Sequence, residues 1–192
     1  MDNESMFRLL FERSADAMTL LDPVTSAFFD ANEAAVRMTG APSKAALLGS
    51  SPSRFSPERQ PDGSLSEDKV KEVIQLAIEH GSHRFEWVIN RFDGTQLPVE
   101  IVLTLIRTGK QPLLLSVSRD ITERERTENE LRENQQLLVS VADNISEAIY
   151  RTGPNHDLIF ANRAYLQMSG YTSLEEMRHV PRETLYAHPE GR

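Results

Sequence analysis

Apolar and polar positions follow two different periods along this chain, and the switches between them mark its elements. Residues 5–13, SMFRLLFER, place Phe7, Leu10 and Phe11 at helical spacing, with Met6 beside them and Ser5 as an expected cap. A strand is predicted at Ala17–Leu21, ended by Asp22-Pro23, and a returning strand at Ala27–Asp30. Asn32 predicts the cap of a helix running through Met38 and stopped by Gly40. The stretch from Pro42 to Gly63 carries four prolines and reads as loop. Ser66 is the next expected cap, and Val70, Val73, Ile74, Ala77 and Ile78 make an amphipathic stripe ending at Gly81.

The period then changes to two. In HRFEWVINR, His83, Phe85, Trp87 and Ile89 fall on one side and Arg84, Glu86, Val88 and Asn90 on the other. Asp93-Gly94 predicts a hairpin turn, Leu97 to Ile106 a second long strand, Thr108-Gly109 another turn, and Pro112 to Ser118 a third strand. Three strand segments joined by short turns predict an antiparallel meander.

At Asp120 the pattern changes again. DITERERTENELRENQQLLVSV has no glycine or proline and is rich in helix formers. Ile121, Leu131, Leu138 and Ile145 share a heptad framework whose other seam positions include Arg124, Glu128 and Gln135. Such a weakly apolar seam holds a coiled-coil register poorly. Past Asp143 the opening grammar returns: SEAIYRTG, HDLIFAN, ANRAYLQMSG. Asn32 matches Asn162, Met38 matches Met168 and Gly40 matches Gly170, each pair 130 positions apart. This is internal duplication.

Composition narrows the chemistry. The formal net charge of −8 argues against steering toward nucleic acid or an anionic bilayer. The 192 residues contain no cysteine, which removes disulfides, thiolate metal sites and cysteine nucleophiles. No window is apolar enough to span a membrane, and the N-terminus lacks a signal-peptide layout. A cytoplasmic location without direct membrane contact is expected. There is no Gly-rich phosphate loop and no Gly-x-Ser-x-Gly elbow. His80 and His83 straddle Gly81 and would not share a helix face as metal ligands do. No catalytic residue and no metal site is expected.

The order helix, two strands, short helices, long helix, three antiparallel strands resembles the PAS domain of bacterial sensory and signalling proteins. FFDANEAAVRMTGAP is similar to the family's second strand and following helix, HRFEWVINRFDGTQLPVEI to its central hairpin, and SVSRDITERE to its last strand and exit into a linker helix. The resemblance implies an α+β PAS fold, a five-stranded antiparallel sheet with helices on one face. It divides the chain into an N-terminal amphipathic helix (1–14), a PAS domain (15–119), a linker helix that could form a coiled coil (120–143) and the front of a second PAS domain (144–192). YAHPEGR resembles the segment just before that second domain's long helix, so its strands are expected to lack sheet partners. The chain is then expected to be the N-terminal piece of a longer tandem array; the alternative is a protein that ends here and uses the fragment for association.

The resemblance also implies a role: sensory input and dimerisation for a histidine kinase or diguanylate cyclase of a two-component type, with no enzyme activity of its own. A small ligand is expected between the sheet and the helical side, lined by His83, Phe85 and Trp87, with Arg54, Arg59 or Gln60 reaching in. An arginine beside an aromatic floor suits a carboxylate or another planar polar ligand. A filled core with solvated arginines is the competing reading. Asp120, Ile121 and Thr122 are expected to carry strain from the last strand into the linker helix, Asp120 capping it, and on to a downstream output domain. A homodimer is expected through Phe7, Leu10 and Phe11 or through Leu131 and Leu138, unless these stripes pack internally. Cysteine-dependent flavin photochemistry is excluded. A redox or gas sensor holding non-covalent flavin, or haem through His80 or His188, is one alternative, and a ligand-free interaction module another.

Overall fold

The computed structural model describes residues 3–107, 111–154 and 157–178. The Thr108-Gly109 turn and the YAHPEGR segment with His188 lie outside the described residues. The chain divides into two compact units, residues 1–125 and 126–192.

Helix α1 (Asn3–Arg13) starts before Ser5, which therefore lies inside its first turn instead of capping it. Its C-terminal end is the anchored end. Phe11 is 4% exposed and stacks on Phe7 at 6.1 Å, whereas Leu10 is 66% exposed. Glu12 and Asp30 both reach Lys44, at 2.8 and 2.7 Å. Partial burial lowers the pKa of Lys44, but the hydrogen bonds and charges of Asp30 and Glu12 outweigh it and raise the ammonium above its ordinary value.

Strands β1 (Ala17–Leu21) and β2 (Phe28–Ala31) form the first hairpin, with a register shift at Leu20/Leu21. Helix α2 (Glu33–Thr39) begins at the Asn32 cap and ends at Gly40, whose φ of 66° is open to glycine without a Cβ clash. Two short 3-10 turns, Lys44–Ala46 and Pro52–Phe55, break up the proline-rich stretch.

Helix α3 (Ser66–His80) corrects the expected cap. The cap position is Leu65, and Ser66 is the first helical residue. The buried Ser66 hydroxyl turns away from the helix end, donates to the Pro57 carbonyl at 2.6 Å and accepts from Gln60 Nε2 at 2.8 Å. The loop before the helix competes for the hydroxyl and wins. Val70, Val73, Ile74 and Ala77 are buried on the sheet-facing stripe.

The meander follows as β3 (Ser82–Asn90), β4 (Gln96–Arg107) and β5 (Pro112–Asp120). The Asp93-Gly94 turn joins the first two, with Gly94 at φ 84°. The sheet order is β2-β1-β5-β4-β3, every pair antiparallel. The first and last strands of the domain thus meet at its centre. Trp87, Leu97, Val99, Leu103 and Leu114 from the inner face pack with Leu21 and the α3 stripe in the main core. Each such side chain, fully buried, contributes about 1.5–3 kcal/mol.

Helix α4 (Thr122–Asn144) leaves β5 after one intervening residue. It ends before Ile145, so the heptad framework loses its last member to the following bend. Leu138 is 69% exposed, and Leu131 is likewise exposed.

The second unit repeats the opening of the first. Strands β6 (Tyr150–Thr152) and β7 (Leu158–Ala161) pair antiparallel with each other, again with a register shift. Helices α5 (Arg163–Met168) and α6 (Leu174–Arg178) follow, the first capped by Asn162. Among the described residues these two strands have no further sheet partner.

Candidate functional site

The inner face of the five-stranded sheet closes over a cavity. Its volume is about 90 Å³. Phe85, Trp87, Val99 and Leu103 supply the sheet wall, Val70 and Ile74 of α3 the helical wall, and Leu47 and Phe55 the loop wall. None of the described residues lining it carries a charge. Besides the Trp87 indole N–H, its polar side-chain groups are four hydroxyls: Thr19, Thr39, Ser116 and Ser118. The Thr39 hydroxyl bonds back to the Ala35 carbonyl at 2.8 Å.

The other three arise from strand pairing. Thr19 of β1 stands opposite Ser116 of β5, and Ala17 opposite Ser118. Alternation along β5 puts Leu114, Ser116 and Ser118 on the inner face together. Two strands from opposite ends of the domain therefore place three small hydroxyls side by side under an apolar roof. The alternation of LLLSVS was the available signal. It stays ambiguous until the phase of β5 is known, because serine by itself reads as solvent-facing.

The expected ligand residues separate. Phe85 and Trp87 line the cavity and meet edge to face at 5.9 Å. His83 stacks on Phe85 at 5.5 Å outside the lining. Trp87 Nε1 donates to the Ser56 hydroxyl at 2.9 Å, and Lys69 Nζ lies 5.7 Å from the indole centroid while pairing with Asp62 at 2.6 Å. Arg54 donates to the Ser50 hydroxyl at 3.2 Å, and Arg59 to the Gly63 carbonyl at 2.7 Å. Neither guanidinium lines the cavity.

Gln60 has a structural partner set. Its Oε1 accepts from the Val88 N–H at 2.8 Å, and its Nε2 donates to the Val88 carbonyl at 3.3 Å. Val88 lies on β3, the edge of the sheet, opposite Pro98. One buried amide side chain thus stands in for a missing strand at that point.

At the exit from the sheet, the Asp120 carboxylate accepts from the Thr122 N–H at 2.8 Å. This is a tight turn bond to the first helical residue. Ile121 is buried, and its N–H donates to the Pro98 carbonyl at 3.2 Å. Arg124, one turn into α4, reaches back to Glu86 on β3 and to Glu100 on β4. Glu100 also pairs with Arg84 at 3.4 Å. The first turn of the helix is therefore bound to the edge strand β3 and to the central strand β4 of the meander, a tie the heptad reading of Arg124 missed.

Among the described residues no group of three His, Asp or Glu side chains could hold a metal ion. No helix among them is long and apolar enough to cross a membrane.

A family model described as "PAS domain" matches residues 15–123, more than half of the chain, and a second model of the same description matches residues 136–190. A curated relative, the methyl sulfide methyltransferase-associated sensor of Methanosarcina acetivorans, is 30% identical over 127 residues. That match covers 66% of this chain but 12% of the relative, so the chain spans only a small part of its length. Among solved structures, the PAS domain of a Colwellia psychrerythraea protein superposes with a TM-score of 0.54 at 22% identity, covering 64% of this chain and 99% of that one. The Rhodobacter sphaeroides LOV protein superposes at 0.50 and 19% identity, covering 62% and 67%. Both likenesses speak to the fold.

Proposed function

The chain belongs to the PAS domain family, and from that premise we propose that it is the sensory input and dimerisation module of a cytoplasmic signal-transduction protein, a histidine kinase or diguanylate cyclase. A small molecule occupies the cavity under the sheet of the first unit, with Phe85 and Trp87 as its aromatic wall. Occupancy is passed through Asp120, Ile121 and Thr122 to α4, and from there to a downstream output domain. The chain itself catalyses nothing.

One observation carries this reading. The strand that supplies Ser116 and Ser118 to the cavity continues, after Ile121 alone, into α4. A change in the cavity wall thus has a short covalent and hydrogen-bonded route to the helix. A coupling of about 1–3 kcal/mol is enough for signalling. Within the first unit the cavity also speaks against flavin or haem, since sites for ligands of that size run to roughly 300–1,000 Å³. Dimerisation is supported by the apolar side chains of Phe7, Leu10, Leu131 and Leu138, each at least half exposed.

Filling the cavity tests the transmission. In the full chain, Ser116→Leu places an apolar side chain where a ligand would sit. Amide hydrogen exchange across residues 122–144 is expected to change relative to the unsubstituted protein. Unchanged exchange there, with the cavity residues visibly perturbed, would refute it.

A further inference from the structure

We infer that the cavity takes a neutral molecule of about four heavy atoms with one hydrogen-bonding pole and an apolar body, bound pole-first to the hydroxyls of Thr19, Ser116 and Ser118. The inference rests on the cleft reading above and assigns its ligand class.

Size comes first. A cavity of ~150 Å³ lined by apolar side chains takes benzene, with its six heavy atoms. By proportion, the 90 Å³ here takes about four. Charge comes second. No lining residue is ionisable, and both candidate arginines are engaged elsewhere, Arg54 with Ser50 and Arg59 with Gly63. A carboxylate in this space would lose its hydration with no cation to replace it. An anion or an ammonium is therefore rejected, and the planar carboxylate expected from the sequence is replaced by an uncharged group.

Polarity comes third. Ser116 is 6% exposed, lines the cavity and has no hydrogen-bond partner for its hydroxyl among the described residues. Thr19 beside it and Ser118 two positions along the strand are half-buried, line the same cavity and likewise have no hydroxyl partner among the described residues. Three hydroxyls that line one cavity without a protein partner mark a place where a partner belongs. Each hydroxyl both donates and accepts, so the cluster suits a carbonyl or a hydroxyl equally. The opposite walls, Val70, Ile74 and Leu103, offer only carbon to the rest of the ligand.

Acetone, 2-propanol and acetate have four heavy atoms each and differ in pole and charge, so they serve as probes. For ligands this small the dissociation constant is no tighter than about tens of micromolar, which sets a titration range reaching millimolar. With the full chain followed by amide and methyl NMR, acetone and 2-propanol are expected to shift cavity residues such as Val99 and Leu103 in saturable fashion, and acetate is not. Thr19→Val with Ser116→Ala keeps the volume close and removes two hydroxyls. That variant is expected to bind acetone about tenfold more weakly, the size of one neutral hydrogen bond, while its occupancy by xenon stays the same. Acetate binding as tightly as acetone, an unchanged acetone affinity in the variant, or no saturable shift with acetone or 2-propanol would each overturn the assignment. Shifts confined to the cavity, with residues 122–144 silent, would leave the ligand class standing and defeat transmission instead.

Discussion

Asn32 and Asn162 do the same work in two different settings. Each caps a helix, accepting the N–H of Ala35 in one copy and of Tyr165 in the other. Each accepts a second N–H as well, from Met18 of β1 and from Ile149 just before β6. Each amide nitrogen then donates to two carbonyls, Phe11 and Asp16 in the first copy, Ala142 and Glu147 in the second. All eight distances lie between 2.8 and 3.0 Å. The preceding helix, the strand and the following helix are knotted by one side chain each time. In the first copy that preceding helix is α1; in the second it is α4. What differs is the sheet, five strands over a core against two strands among the described residues. The knot is local and needs only its own residues. The cavity is not local and exists only where the meander closes against β1.

Breaking both knots would sharpen that contrast most. Asn32→Ala leaves the Phe11 and Asp16 carbonyls and two N–H groups without their partner in a buried place, at a cost of about 2–4 kcal/mol. Denaturant melting of the first unit is expected to shift accordingly. Asn162→Ala removes the equivalent bonds, yet its effect is expected in hydrogen exchange at residues 142–165 with the first unit's midpoint unmoved. Equal effects of both substitutions on that midpoint would show that the copies do not fold as separately as their sheets suggest.

Gln60→Ala comes next. It uncovers the Val88 N–H and carbonyl on the edge of the sheet, for about 1–2 kcal/mol. Faster exchange of the Val88 amide is the direct readout. Sedimentation would show any increase in edge-to-edge association.

Arg124→Ala tests the tie between α4 and the meander. The pairs are partly solvated, so a loss of under about 1 kcal/mol is expected, and it should shrink further in high salt. Exchange in the first turn of α4 should rise while the rest of the first unit stays protected. A rise spread evenly through the sheet would make Arg124 an ordinary stabilising residue instead of a local clasp.

The smallest effect concerns Asp62. Hydrogen bonding from Lys69, then from the Ser64 side chain and backbone, holds its carboxyl well below the ordinary carboxylate value. A group depressed in this way stabilises the fold above its unfolded value of about 3.8 and loses that contribution as the pH falls toward its folded value. The melting difference between the native protein and Asp62→Asn should therefore be present at neutral pH and close below pH 4. A difference that persists at lower pH would assign the effect to the turn geometry.

Much of this architecture is legible in the residues because it is short-range. The Asn32 and Gly40 helix boundaries, the Asp93-Gly94 turn and the two-sided alternation of His83 to Asn90 each depend on neighbours within a few positions. The misread caps at Ser5 and Ser66 fail for the same reason in reverse. A serine can offer its hydroxyl to a helix end, but Pro57 and Gln60 competed for Ser66 from outside the helix. Gln60 was legible as a polar loop residue; its bond to Val88 spans 28 positions and was not.

By itself, the chain of residues determined the alternation within the strands, the α2 boundaries at Asn32 and Gly40, the duplication and the absence of thiol chemistry. Each follows from backbone sterics, capping or simple content. Only the folded sheet decided that Ser116 and Ser118 face inward, that Thr19 stands beside them, and that the arginines stay out. Alternation states which residues share a face of a strand. Which face is buried, and which distant strand lies alongside, is set by the packing of the whole layer, and there β1 and β5 meet across nearly the full length of the domain.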